Sequence, residues 1–179
     1  MSGTLETQRL LLVPWSVDDV ALLAELSSDS HVTRYIGRGS PWTAAQAIEV
    51  SDRQADHWHE HGFGWRIAIE KTSGESIGFI ALNFMEPGTA LVDPGTYEIG
   101  WWLGPGAWGR GYAGEGGRAV RDDAFQRLGA PDLTARIQPA NAASIGVSRS
   151  LGLTHRFDTT GRHGEPVSIF RLEAPGQLT

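Results

Sequence analysis

The densest chemical signal in the chain runs from Tyr97 to Gly117, YEIGWWLGPGAWGRGYAGEGG. An apolar segment, YEIGWWL, leads into the glycine cluster GPGAWGRGYAGEGG, and a helix is expected to begin inside that cluster. Backbone N–H groups at a helix start have no intrahelical partner and sit at the positive end of the helix dipole. Glycine or alanine at Gly109, Gly111, Ala113 and Gly114 lets an anion as large as a diphosphate reach those amides with no side chain in between. A glycine-rich connection that binds nothing has the same composition, so the glycines alone do not decide the matter.

Gly104, Gly106 and Gly109 also spell GxGxxG between a strand and a helix, the dinucleotide fingerprint. The context argues against it. A dinucleotide fold places that turn after its first strand and an acid at the tip of the next strand, about 20 residues on. Here nearly a hundred residues precede the turn, Leu133 to Ile137 ends in Gln138 and Pro139, and Asp132 comes before that strand.

Proton-handling groups flank the turn. Glu98 lies on the preceding strand, where period 2 puts it on one face with Gly100 and Trp102, opposite Tyr97, Ile99, Trp101 and Leu103. Downstream, Asn141, Ser144 and Ser148 fall at i, i+3 and i+7, one stripe of a helix, so all three can face one cleft. Asn141 is equally a natural helix cap. His57 and His61 in HWHEH are one turn apart, but the motif is not HExxH and reads as the polar end of a helix, so no metal is expected. Trp42, Trp58 and Trp65 are candidates for an acceptor pocket or for plain core. Arg118, Arg121 and Arg149 are candidates for a further phosphate or for exposed helix faces.

The elements that must position these groups follow from periodicity. Arg9 to Trp15 reads as a buried strand, with Ser16 and Asp19 as a capping pair before a helix over Val17 to Ser27. Thr43 to His61 is a second helix, with Ala44, Ala47, Ile48 and Ala55 on its apolar face and Gly62 ending it. Trp65 to Glu70 and Ser76 to Phe84 form a hairpin, and Thr96 to Leu103 a strand after a Pro/Gly loop. Helix Arg110 to Leu128, strand Leu133 to Ile137, helix Asn141 to Leu151 and the strands Leu153 to Asp158 and Val167 to Leu172 complete the order βααβββαβαββ. That order predicts an α/β (α+β) fold, a mixed sheet with helices on both faces. Met1 to Gly3 and Ala174 to Thr179 read as loose ends.

Composition narrows the function. With 179 residues the chain is the size of one domain, enough to bury about 70% of its unfolded surface. It has no cysteine, which excludes disulfides and thiolate chemistry and fits the cytoplasm. No apolar run is long enough for a membrane span or a signal peptide, and the net charge of −6 without a basic window argues against nucleic acid. A mild acidic excess suits a cationic substrate such as an amine.

Trp108-Gly109-Arg110-Gly111-Tyr112-Ala113 resembles the pyrophosphate-binding motif of the GNAT acetyltransferases, Q/R-x-x-G-x-G/A. The opening TxRLLLVPW, the WRIAIE…GESIGFIAL hairpin, EIGWWLGPGAWGRGYAGE and NAASIGVSRSLGL resemble, in order and spacing, the RimJ/RimL-like branch, over roughly residues 7 to 173. The resemblance implies one GNAT domain over residues 1–179, with a mostly antiparallel central sheet, acetyl-CoA as cosubstrate, no metal, and a peptide or small-molecule amine as acceptor. It implies Glu98 as general base through water, and cofactor contacts from Trp101, Trp102, Leu103 and Trp108 and from Gly109, Arg110, Gly111, Tyr112, Ala113 and Gly114. Asn141 would contact the pantetheine arm, and Ser144, with Ser148 second, would stand near the leaving sulfur. Two positions depart from the family pattern. Trp108 stands where Gln or Arg is usual, and Ser148 where many members carry a tyrosine general acid, before Gly152-Leu153. A binding module of the same shape without turnover is the rival expectation, and the branch leaves a homodimer open.

Overall fold

The strand-forming runs pair through alternation, with every second side chain directed to the same face. The computed structural model describes residues 3–176. The sheet contains β1 (Leu5–Glu6), β2 (Leu10–Pro14), β3 (Arg66–Glu70), β4 (Ser76–Phe84), β5 (Tyr97–Leu103), β6 (Asp132–Ile137), β7 (Thr154–Thr160) and β8 (Pro166–Glu173). Their spatial order is β1-β2-β3-β4-β5-β6-β8-β7. Neighbours are antiparallel except β5 and β6, which run parallel. The helices are α1 (Val20–Ser28), α2 (Ser30–Thr33), α3 (Ala44–His61), α4 (Tyr112–Gln126) and α5 (Ala142–Ser150), with 3-10 turns at Val17–Asp19 and Pro105–Ala107. The expected α/β (α+β), mostly antiparallel sheet with helices on both faces is the fold observed. Strand β1 and the single turn α2 were not expected; at two and four residues they are too short to show a period. Of the two expected loose ends, residues 1–2 and 177–179 lie outside the described residues.

Alternation divides the apolar residues into two cores. Leu10, Leu12, Ile80, Leu82, Ile99 and Leu133 meet Val120 and Ala124 of α4 and Leu151 after α5. Trp15, Trp65, Ile67, Phe79 and Ala81 meet Leu23 and Leu26 of α1 and Ala47 of α3 on the other face. Helix α4 lies very close to the sheet. A Cβ on Gly116 would stand 2.8 Å from the Ile80 side chain, and one on Gly117 would stand 2.9 Å from Leu151. These two glycines therefore serve packing rather than phosphate.

The buried stripe of α3 differs from the expected one. Ala47, Ser51 and Gln54 face inward, whereas Ala44 is exposed and Ile48 half-exposed. The reason is Trp15, whose indole N–H donates to Ser51 Oγ at 3.1 Å, so a small polar residue is needed beneath it. Ser16 N–H donates to Asp19 Oδ2 at 2.8 Å, as the capping pair predicts, and a second capping box, Thr43 with Gln46, starts α3.

Candidate active site

The glycine turn after β5 carries the first half of the site. Gly109 (φ 71°) and Gly111 (φ 80°) both take the left-handed conformation, which side chains resist, and they bring the chain round into α4. The Glu115 N–H donates to Gly111 O at 3.0 Å, so the amides of Gly111, Tyr112, Ala113 and Gly114 precede the helical ladder. Nothing lies within 4 Å of where a Cβ of Gly109 would be, which leaves the outer face of the turn open. An anion of diphosphate size fits this arrangement of amides, glycine backbone and dipole end. Trp108 takes another role: its indole N–H donates to Leu103 O at 2.7 Å, which closes the end of β5 while its ring stays half exposed.

A cluster that sequence reasoning missed holds the turn. Arg110 pairs with Glu70 of β3 at 2.8 Å, and the Tyr112 hydroxyl also donates to Glu70. The Tyr112 hydroxyl, then Ser73, and then Arg110 hold the Glu70 carboxyl below its usual range. Arg9 donates to Arg110 O at 2.9 Å and pairs with Glu115 at 2.7 Å, and its guanidinium and that of Arg110 lie 4.4 and 4.8 Å from the Tyr112 ring centre. Burial pushes the Glu115 carboxyl up, but hydrogen bonds from Thr7 and Arg9 outweigh it and hold the group low. Glu70 and Arg9 are some sixty residues apart and no local pattern links them; only strand pairing brings Lys71 N–H to Arg9 O at 2.9 Å and so sets the two side by side.

The second half is a cleft of about 740 Å³ at the parallel step in the sheet. The β5–β6 register is Glu98↔Thr134, and beyond it the residues Ile99 to Trp102 and Ala135 to Gln138 become opposite cleft walls. Helices α3 and α5 and the segments around Tyr35–Trp42 and Arg162–Val167 complete the lining. Glu98, Trp101, Trp102, Asn141 and Ser144 all line it, so the structure brings these predicted residues together.

Glu98 is an ion-paired residue, 15% exposed. Arg136 of β6, 21% exposed, donates through Nε to Oε1 at 2.6 Å and through Nη2 to Oε2 at 3.1 Å. Asn83 Nδ2 donates to Oε2 at 3.3 Å. A carboxylate offers about four lone-pair sites, so these three bonds leave one free, on Oε1. Burial works against the Arg136 charge, but Glu98 outweighs it and raises the guanidinium pKa. Arg136 was missed; a charge set between Ala135 and Ile137 near the end of β6 was its one signal in the sequence.

On the opposite wall, Asn141 caps α5 by accepting from Ser144 N–H at 3.1 Å. The Ser144 hydroxyl accepts from the Trp101 indole at 3.2 Å, leaving its own O–H to donate. Two predicted site residues have side chains directed away from the cleft. Ser148 is fully buried and donates to Ile145 O at 2.9 Å, because α5 turns that position into the core rather than toward the cleft. The Leu103 side chain is also core, with its carbonyl taken by Trp108. Trp42 and Trp65 line the cleft, while Trp58 lies under Arg66 and donates to Trp65 O. Arg121 is committed to Asp122 and Leu151 O. His57 packs on Phe63 and Phe84, and among the described residues no cluster of three metal-ligating side chains occurs.

Residues 9–154 match the acetyltransferase (GNAT) domain family. An FsC-acetyl coenzyme A-N(2)-transacetylase of Aspergillus fumigatus is 31% identical over 163 residues, which cover 85% of this chain and 65% of that protein. The chain thus spans a little under two thirds of that relative's length. An uncharacterised N-acetyltransferase, p20, of Bacillus licheniformis is 31% identical over 149 residues, covering 83% of this chain and 80% of p20. The crystal structure of an acetyltransferase from Agrobacterium tumefaciens superposes with a TM-score of 0.80 at 29% identity, over 97% of this chain and 95% of that one. The open amide turn and the cleft at the parallel β5–β6 step fit an acyl-CoA-dependent transferase. Within that class, the chain belongs to the acetyltransferase (GNAT) domain family.

Proposed function

We propose that the protein moves the acetyl group of acetyl-CoA to a primary α-amine, carried by a protein or peptide N-terminus or by a small molecule. The observation that carries the reading is the cleft at the β5–β6 divergence, with Glu98 on one wall, Ser144 on the other and the glycine turn at the end of β5. In this reading the amides of Gly109 to Gly114 hold the diphosphate, with Arg110 and Tyr112 keeping the turn in shape. Asn141 and the β5 residues Trp101 and Trp102 flank the pantetheine arm.

The amine lone pair attacks the acetyl carbonyl carbon, an N–C bond forms and the C–S bond breaks. The nitrogen loses a proton to water held on the free Oε1 site of Glu98, and the thiolate takes one from water beside the Ser144 hydroxyl. A serine is a poor acid, so Ser144 contributes a hydrogen bond to sulfur rather than the proton itself. An α-amine is about 10% unprotonated at pH 7, against a few parts in ten thousand for a lysine side chain, so an α-amine asks less of a base already engaged by Arg136.

A single GNAT domain over residues 1–179, placement in the RimJ/RimL-like branch and a cytoplasmic setting complete the proposal; the motifs quoted above support the branch, and the absence of cysteine suits the setting. No helix among the described residues is long and apolar enough to cross a membrane. The test is thiol release from acetyl-CoA with a panel of α-amines, ε-amines and aminated sugars. Release above buffer hydrolysis with at least one α-amine supports the proposal. Tight CoA binding with no release from any amine would establish the non-catalytic module instead.

A further inference from the structure

Gln54 stands out on the cleft wall. It lies on the buried stripe of α3 and is 9% exposed, and its Oε1 has no hydrogen-bond partner among the described residues. Buried polar groups are nearly always satisfied, so an orphan beside a substrate cleft asks for a partner from outside the chain. Gln54 lines both the main cleft and a second hollow of about 240 Å³ that continues from it past Arg53, Asn83 and Glu86.

Most of the polar side chains that line the cleft around it are already engaged. Glu98 is taken by Arg136. Glu86 is taken by Arg162, with Arg53 at 3.7 Å. Asn83 donates to Phe84 O at 3.0 Å and to Glu98, and accepts from the Trp65 indole at 3.2 Å. Asn83 is also the link to the reaction centre, since it touches the Glu98 carboxylate and shares both hollows with Gln54.

From this we infer that Gln54 is a specificity-determining residue that reads a peptide-type amide in the acceptor, next to the amine that is acetylated. The inference rests on the acetyl-transfer reading. A carboxamide presents a C=O acceptor and an NH₂ donor in one plane, and rotation exchanges them. The group that satisfies it in either orientation is one that itself carries a coplanar N–H and C=O. An ammonium supplies donors alone and a carboxylate acceptors alone, whereas the peptide group of an α-amino amide supplies both.

The test compares two acceptors of equal length, an α-amino N-methylamide and the alkylamine in which methylenes replace the amide, with wild type, Gln54→Leu and Gln54→Met. The quantity read is the ratio of kcat/KM for the two acceptors. The amines differ in pKa, but identically for every enzyme, so the change in the ratio isolates Gln54. Both variants are expected to lower the ratio at least tenfold, about 1.4 kcal/mol of discrimination. The KM for acetyl-CoA stays unchanged, and Tm holds or rises, because an unpaired buried amide is replaced by an apolar side chain of similar volume. A ratio within twofold of wild type in both variants overturns the inference while leaving acetyl transfer intact. So does a fall in Tm with equal losses on both acceptors, which would make Gln54 structural. Failure of the wild type to acetylate any amine would remove the acetyl-transfer reading as well.

Discussion

Replacing Glu98 by glutamine separates two roles for this carboxylate, proton acceptor and ion-pair partner of Arg136. Gln keeps one oxygen for the Arg136 guanidinium but loses the charge in a bond pair of 2.6 and 3.1 Å. Removing one partner of a fully buried pair costs about 3–5 kcal/mol, and exposed pairs contribute about 0–1 kcal/mol. At 15% and 21% exposure the pair lies between these limits, and the retained hydrogen bond places Glu98→Gln near 1–2 kcal/mol of destabilisation. For a domain of this size that is a Tm lower by about 3–8 °C, readable by calorimetry. Arg136→Gln breaks the same pair from the other side and has a similar stability cost. The two variants part in turnover: loss of a general base lowers kcat by about 10²–10⁴, whereas Arg136→Gln, which keeps the carboxylate, loses less than about tenfold. The assay is thiol release with a saturating α-amine at matched pH. Equal losses in the two variants would show that Glu98 is a prop for the cleft wall, and unchanged turnover in Glu98→Gln would remove it from the chemistry altogether.

Gly111→Ala places a side chain at φ 80° with its Cβ 3.5 Å from Arg9 Nη2, and is expected to raise KM for acetyl-CoA several-fold with a smaller change in kcat; isothermal titration with CoA checks it. Ser144→Ala removes a donor to the sulfur that water replaces, so kcat falls by less than about tenfold, well short of the Glu98→Gln loss under the same assay. His57 is pushed down to about 4 by burial and then by His61, so the folded ring stays neutral at pH values where an unfolded histidine is charged. The unfolded chain then binds more protons between about pH 6.5 and 4, and stability falls as pH drops through that window. Discounted for a partly exposed ring, the loss is about 1–2 kcal/mol, and urea titrations of His57→Gln should show it abolished.

Most of the secondary structure was legible because it rests on local regularities. An apolar run identified β2 and alternation the β3–β4 hairpin, Gly62 identified the end of α3 and Asn141 the start of α5, and glycines marked the turn before α4. The glycine turn was legible for the same reason: it uses backbone groups whose disposition follows from a strand, two glycines and a helix start. Helix faces were less secure. Ser148 shares a stripe with Asn141 and Ser144 on paper, but the wall of the cleft ends after one turn and the core begins, so an offset of seven residues along α5 crosses from one environment to the other. The α3 stripe failed similarly, since the indole of Trp15, nearly thirty residues before it, chooses Ser51 over the apolar Ile48.

The glycine turn, the strand that feeds it and the asparagine cap of α5 are thus properties of contiguous segments, and the amino-acid order alone specifies them. The state of the Glu98 carboxylate is not. Glu98 meets Arg136 across the parallel β5–β6 step, the Arg110–Tyr112 turn leans on Glu70 from a different hairpin, and the Gln54 Oε1 is left without a hydrogen-bond partner among the described residues. Each of these depends on strand order and on which side chains the packing brings within about 3 Å, quantities set by the closure of the whole sheet and invisible to any local pattern.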